Sequence, residues 1–197
     1  MSTSHEARFE GIVIGYENWG DVDRLVSFYT PQYGKLEVVA KGVRYEKSKL
    51  KGHLELLTHG EFQIAKNRGR GVLTDAVSHE TFSQLCTCAQ TLYLGGAIAD
   101  MYNAYLYPHA PDAQLWELLY MMLEDLAELQ TVTHEDLRVR LEGFARKFLK
   151  YLGYLAESRT VFPSLQSYDA LLAHTDIRGP VFMEVERGLA ALSSSGV

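Results

Sequence analysis

A chain of 197 residues with 47% apolar and 22% charged side chains can bury one large core or two small ones, and its mix is that of a folded protein. Its formal net charge is −6, and no apolar run approaches the length that spans a bilayer. Two cysteines, Cys86 and Cys88, exclude a disulfide framework, and their C-x-C spacing is not that of a zinc ribbon; they read as ordinary buried thiols. Met1 to Arg8 is polar and shows no secretory h-region, so the expected location is the cytoplasm. Charge is unevenly divided. Residues 1–80 carry 11 Lys and Arg against 11 Asp and Glu, whereas residues 81–197 carry 8 against 14. Any anion-binding function therefore belongs to the first part.

The elements follow in chain order. Phe9 to Tyr16 is short, aromatic and β-branched, and predicts a strand bounded by Asn18 and Gly20. Arg24 to Thr30 predicts a second, stopped by Pro31, and Tyr33-Gly34 turns the chain into a third from Lys35 to Lys41. There Leu36, Val38 and Ala40 share one face. A basic loop occupies 42–51. His53 to Ala65 predicts a further extended stretch, Asn67 to Gly71 a glycine-rich hairpin turn, and Val72 to Ser78 the last strand. Such short, evenly spaced strands fit a small closed barrel.

After Glu80 the periodicity becomes helical. Phe82 to Tyr107 predicts a long helix in which Gly95-Gly96 gives a kink or a close approach. Pro108 and Pro111 separate it from a second helix, Asp112 to Leu129. Thr133-His134-Glu135-Asp136 resembles a capping box ahead of a third, with an apolar stripe of Leu137, Leu141, Phe144, Phe148 and Leu152 and a stop at Gly153. Weaker helical patterns cover Tyr168 to His174 and Phe182 to Leu192. The expected architecture is α+β and multidomain. A five-stranded OB-type barrel over 1–80 precedes a helical bundle over 81–197, with the boundary near 79–82.

No enzyme site converges. Glu17, Asp21 and Asp23 read as a polar turn, the seven histidines are scattered, and no Walker A, nucleotide or nucleophile-elbow motif is present, so no catalytic residue, metal or cofactor is expected. The basic loop is the feature with chemistry. Between Lys35 and Lys51 lie six cations (Lys35, Lys41, Arg44, Lys47, Lys49, Lys51) and two acids (Glu37, Glu46), a local charge of +4. Lys66, Arg68 and Arg70 add +3 at the hairpin tip, and Arg24 lies on the second strand. Basic loops on an OB-type barrel suit a phosphate backbone, with exposed aromatics to stack on bases. Trp19 and Tyr45, set among turn residues, are the stacking candidates. Arg138, Arg146, Lys147 and Lys150 form a second basic group on the third helix. For both basic groups the alternative is a solvated face.

Several stretches carry a family resemblance: Glu10-Gly11-Ile12-Val13-Ile14, Asp23-Arg24-Leu25-Val26, Thr30-Pro31-Gln32-Tyr33-Gly34-Lys35-Leu36, Ala40-Lys41-Gly42-Val43-Arg44 and Ser48-Lys49-Leu50. In order and spacing across residues 9–80 they resemble the amino-terminal half of the RecO recombination-mediator family. In the helical part, Phe144 and Leu149-Lys150-Tyr151-Leu152-Gly153-Tyr154 resemble the family's phenylalanine and closing leucine–glycine–tyrosine. The resemblance implies an OB-fold followed by a helical domain. It implies binding of single- and double-stranded DNA, annealing of complementary strands, and loading of recombinase onto DNA coated with single-strand-binding protein. The implied partners are RecR, the acidic C-terminal tail of single-strand-binding protein, for which Arg138, Arg146, Lys147 and Lys150 are the candidate residues, and, indirectly, RecA, with no cofactor turnover. Many relatives carry a four-cysteine zinc module after the Leu-Gly-Tyr motif; Gly153 to Gly179 has no cysteine, so no zinc is expected. The remaining alternatives are a protein-interaction adaptor with little DNA binding of its own, and an RNA-binding OB-fold protein.

Overall fold

The structure, a computed structural model, describes residues 6–65, 70–80, 82, 85, 89–129 and 133–153. Five strands come first: β1 (Glu6–Trp19), β2 (Asp23–Thr30), β3 (Gly34–Ala40), β4 (His59–Ala65) and β5 (Val72–Glu80). They close into a barrel in the order β1-β2-β3-β5-β4, which is the OB arrangement. All neighbours are antiparallel except β3 and β5, which run parallel and share a single bridge, Val39 to Val72.

Strand alternation explains the barrel core. Leu36, Val38 and Ala40 of β3 point inward with Phe9, Val13, Val26, Phe28, Phe62, Leu73 and Ala76. Phe9, Phe28 and Phe62 form an aromatic centre, with ring centroids 4.5–5.7 Å apart. The opposite faces of β1 and β2 are apolar as well: Ile12, Ile14 and Tyr29 are fully buried against the helices.

The helices are α1 (Ala89–Tyr105), α2 (Ala113–Ala127) and α3 (His134–Tyr151). Asp112 caps α2, accepting from the backbone N–H of Gln114 and Leu115. Thr133 and Asp136 form the capping box expected for α3, and Gly153, at φ +81°, follows its end. The stripe residues Leu141, Phe144 and Phe148 join Leu115, Leu119, Leu123, Ile98 and Tyr102 in a second core. Gly95 serves close approach: a Cβ there would lie 2.7 Å from Leu57 Cδ1. Tyr29 and Tyr102 stack edge to face at 5.0 Å and donate to the carbonyls of Asp112 and Leu115. Burial pushes both phenols well above their ordinary titration range.

Two expectations are corrected. The first helix begins at Ala89, not Phe82. Phe82 takes φ +42°, which a right-handed helix excludes, and its carbonyl accepts from Leu85 N in a tight turn. The stretch from His53 is not extended throughout either. It opens with a 3-10 turn, Lys51–His53, passes Leu57 at φ +66° and becomes strand only at His59. Cys86, Cys88, the helical patterns beyond Tyr154 and the cysteine-free stretch to Gly179 lie outside the described residues, apart from Gly153 itself.

Candidate nucleic-acid interface

The segment between β3 and β4 is pinned from inside. Val43 and Leu54 are buried in the barrel core, and Leu50 packs against it. Successive turns link Tyr45 N to Gly42 O, Ser48 N to Tyr45 O and His53 N to Leu50 O at 3.0–3.2 Å. Gly42 N donates to Asp23 Oδ1 at 2.7 Å, Arg44 N to Val22 O at 3.0 Å and Arg44 Nη1 to Asp21 O at 2.8 Å, which ties the segment to the β1–β2 turn. With the apolar side chains anchored, the polar ones face water: Lys41, Arg44, Lys47, Lys49 and Lys51 are all exposed, as is Tyr45 at 60%. Five cations on one ordered loop make a positive surface at the end of the barrel where β1 turns into β2.

Arg24 lies beside this loop at the barrel mouth, paired with Asn18 and Ala40. Its guanidinium sits 4.2 Å above the Tyr16 ring, and its Nε and Nη1 are buried without a hydrogen-bond partner. A cation–π contact of this kind holds the charge flat against the mouth. Arg70 crosses the outer face of β3. It pairs with Glu37 at 3.3 Å and lies 5.2 Å from the centre of the Trp19 ring. Trp19 remains 45% exposed, so the two predicted contact residues from distant segments share one surface. Lys66 and Arg68 lie outside the described residues.

Lys35 does not belong to that surface. It is buried, and its Nζ donates to the backbone carbonyl of Asn103 near the end of α1. Burial lowers its pKa, opposed by the carboxylates of Glu37 and Glu17. Its backbone takes part too: Lys35 O accepts from His109 N at 3.0 Å, and Lys35 bridges to Pro108. A cation at the carbonyl end of a helix is well placed electrostatically, so Lys35 fastens barrel to helices rather than facing a ligand. In sequence, nothing distinguishes it from its exposed neighbours, because the covering element is 68 residues away.

On α3, Arg146, Lys147 and Lys150 are exposed and Arg138 is half-buried, bonded to Glu142 at 3.4 Å. Lys147 borders a groove between α2 and α3 of about 420 Å³, floored by Leu118, Met122 and Phe144. Met121, 60% exposed, lies on its edge, and Arg140 pairs with Asp125 across it. Sequence reading missed Arg140 and Met121; the paired helix faces place them there. Among the described residues no cluster of three metal-ligating side chains occurs, and no helix is long and apolar enough to cross a membrane.

Residues 1–82 match the family model described as recombination protein O, N terminal. This places residues 1–82 with the amino-terminal domain of the RecO family. The chain is 28% identical over 145 residues to a DNA repair protein RecO of Desulfitobacterium hafniense, covering 74% of this chain and 51% of that one. Similarity to the RecO of Listeria monocytogenes is 30% over 144 residues, 73% of this chain and 54% of the relative. A RecO of Dehalococcoides mccartyi is 26% identical over 180 residues, 91% of this chain and 68% of the relative. The chain spans about half the length of the first of these relatives. The match over residues 1–82 accords with the OB order of the barrel.

Proposed function

We propose that this chain acts in DNA repair as a recombination mediator without enzymatic chemistry. Residues 1–80 would bind single- and double-stranded DNA, and the helical part, 81–197, would receive partners. The observation that carries the reading is the exposure of Lys41, Arg44, Lys47, Lys49 and Lys51 together on one anchored loop of an OB barrel whose chain is otherwise acidic. Cations of this density displace counterions from a phosphate backbone and carry no sequence information, so binding should be general. Two strands held on the same positive surface repel each other less and can pair, which gives annealing. The natural setting is the cytoplasm, at the nucleoid.

The acidic C-terminal tail of single-strand-binding protein would sit in the α2–α3 groove, with its carboxylates toward Lys147 and the neighbouring Arg146 and Lys150, and Arg138 further along α3. RecR and, downstream, RecA would complete the loading of recombinase. The direct test is annealing of two complementary labelled oligonucleotides coated with single-strand-binding protein. The full chain should accelerate pairing, and a variant with Lys41, Arg44, Lys47 and Lys49 changed to Glu should not. Equal rates with and without the chain would leave it as an adaptor working only through partners.

A further inference from the structure

The β1–β2, β2–β3, β1–β4 and β4–β5 pairs each run over seven residue pairs, but β3 and β5 share only one bridge. Beside that bridge, among the described residues, a gap between β3 and the start of β5 leads into a cavity of about 500 Å³. Its floor is the barrel interior itself: Phe9, Leu36 and Val38. The Pro108–His109 segment, held to β3 by the Lys35 bridge and the His109 N to Lys35 O bond, lines one side of the gap. Glu37 and Arg70 stand at the rim, paired at 3.3 Å.

We propose that this gap receives one unstacked nucleobase from a bound single strand. The inference rests on the DNA-binding reading and adds a base-holding site to a surface that otherwise meets phosphates. The chemistry of the pocket selects the ligand class. An apolar floor suits a flat ring. The rim offers an acceptor-only carboxylate beside a donor-only guanidinium, and the Watson–Crick edge of every nucleobase places donors and acceptors side by side. A bare phosphate would meet the Glu37 carboxylate, and a free cation would meet Arg70, so a neutral ring with a polar edge fits better than either ion. Position agrees. Arg70 also lies over exposed Trp19, and Tyr33, 45% exposed, lines the other side of the opening. A strand crossing this rim meets aromatic faces on both sides of the gap, as single-strand binders arrange them. A base inside a duplex cannot enter without leaving its stack, so the site should favour single strands.

The test uses the full chain and two labelled 20-mers, one intact and one with abasic residues at alternate positions, titrated by fluorescence anisotropy. Ala7 lines the cavity, and Ala7→Trp fills it without touching a charge. Tyr33→Ala removes a rim aromatic that is 45% exposed, with little risk to folding. Both variants should bind the intact strand about tenfold more weakly, as expected for loss of one stacked base. Both should bind the abasic strand as the parent does, with unchanged salt dependence. Parent-like affinity of both variants for the intact strand, with salt-sensitive binding retained, would overturn the base pocket and leave the DNA-binding reading standing. Failure of the parent to bind either strand at low salt would overturn both.

Discussion

Gly34 is the position at which the fit between barrel and helices can be tested most sharply. It turns β2 into β3 at φ +66°, and a Cβ placed there would lie 2.4 Å from the Ala110 carbonyl oxygen and 2.8 Å from Pro111 N. Those atoms cannot retreat freely. His109 N is bonded to Lys35 O, Lys35 Nζ to Asn103 O, and Tyr29 OH to Asp112 O. Gly34→Ala therefore meets two costs. The left-handed conformation costs an L-residue about 1–2 kcal/mol. Relieving the overlap must stretch or break one neutral and one charged hydrogen bond, about 1 and about 2 kcal/mol respectively. The expected loss is about 4–5 kcal/mol, among the largest single-residue effects. Urea unfolding of the full chain, followed by circular dichroism and tryptophan fluorescence, reads it directly. Trp116 packs 6.3 Å from Tyr29 at this junction, so fluorescence reports the same contact. A loss below about 1 kcal/mol would refute the reasoning, because it would mean that the Tyr33-Gly34 turn is not docked against the Ala110–Pro111 backbone.

Asp112→Ala removes the cap of α2 and should cost about 1 kcal/mol by the same urea assay, whereas Asp112→Asn should retain most of it. Asp136 is held below its ordinary pKa by hydrogen bonds with the Thr133 side chain and backbone N–H. Its folded pKa is therefore depressed, and its contribution is complete above the unfolded value of 3.8 and disappears as pH falls through the folded one. Asp136→Asn should flatten that part of the acid unfolding curve, and an unchanged curve would contradict the capping role. Lys35 has the opposite sign. Its pKa is lowered by burial, so the cost of its buried charge is present at neutral pH and is relieved as pH rises from the folded value toward 10.5. Lys35→Met should therefore lose its stability difference from the parent across that alkaline window, and should leave DNA affinity within about twofold. A clear drop in the salt slope of binding would return Lys35 to the DNA surface.

Legibility in the sequence followed the range of the interaction. The inward set Leu36, Val38 and Ala40 is a period-two pattern within one strand, and the structure places all three in the barrel core. The Thr133–Asp136 box and the Leu141, Phe144 and Phe148 stripe are equally local, and both are present. Phe82 and Leu85 show the limit of that method. Apolar residues at helical spacing also serve a tight turn: Phe82 takes a positive φ, its carbonyl accepts from Leu85 N, and its ring lies 5.9 Å from that of Tyr120 of α2. Lys35 and Arg70 show the limit for charge. One is covered by a helix far along the chain, and the other reaches Trp19 and Glu37 from a different strand. A lysine count therefore located the basic loop correctly in sequence but could not separate its five exposed members from Lys35. The weak β3–β5 closure has no local signal, since both strands read as ordinary strands and only their pairing is short.

The central claim is that the loop from Lys41 to Lys51 meets phosphates. It is tested most directly by binding of a labelled single strand to the full chain between 50 and 200 mM salt, with and without Lys41, Arg44, Lys47 and Lys49 changed to Glu. Each phosphate contact contributes about 0.7 to the slope of log affinity against log salt on a single strand, so four contacts account for a slope of about 3. The parent should weaken steeply, and the variant should lose about that much slope while unfolding at the same urea concentration. A parent that fails to bind at 50 mM salt, or a slope that survives the charge reversal, would contradict the account.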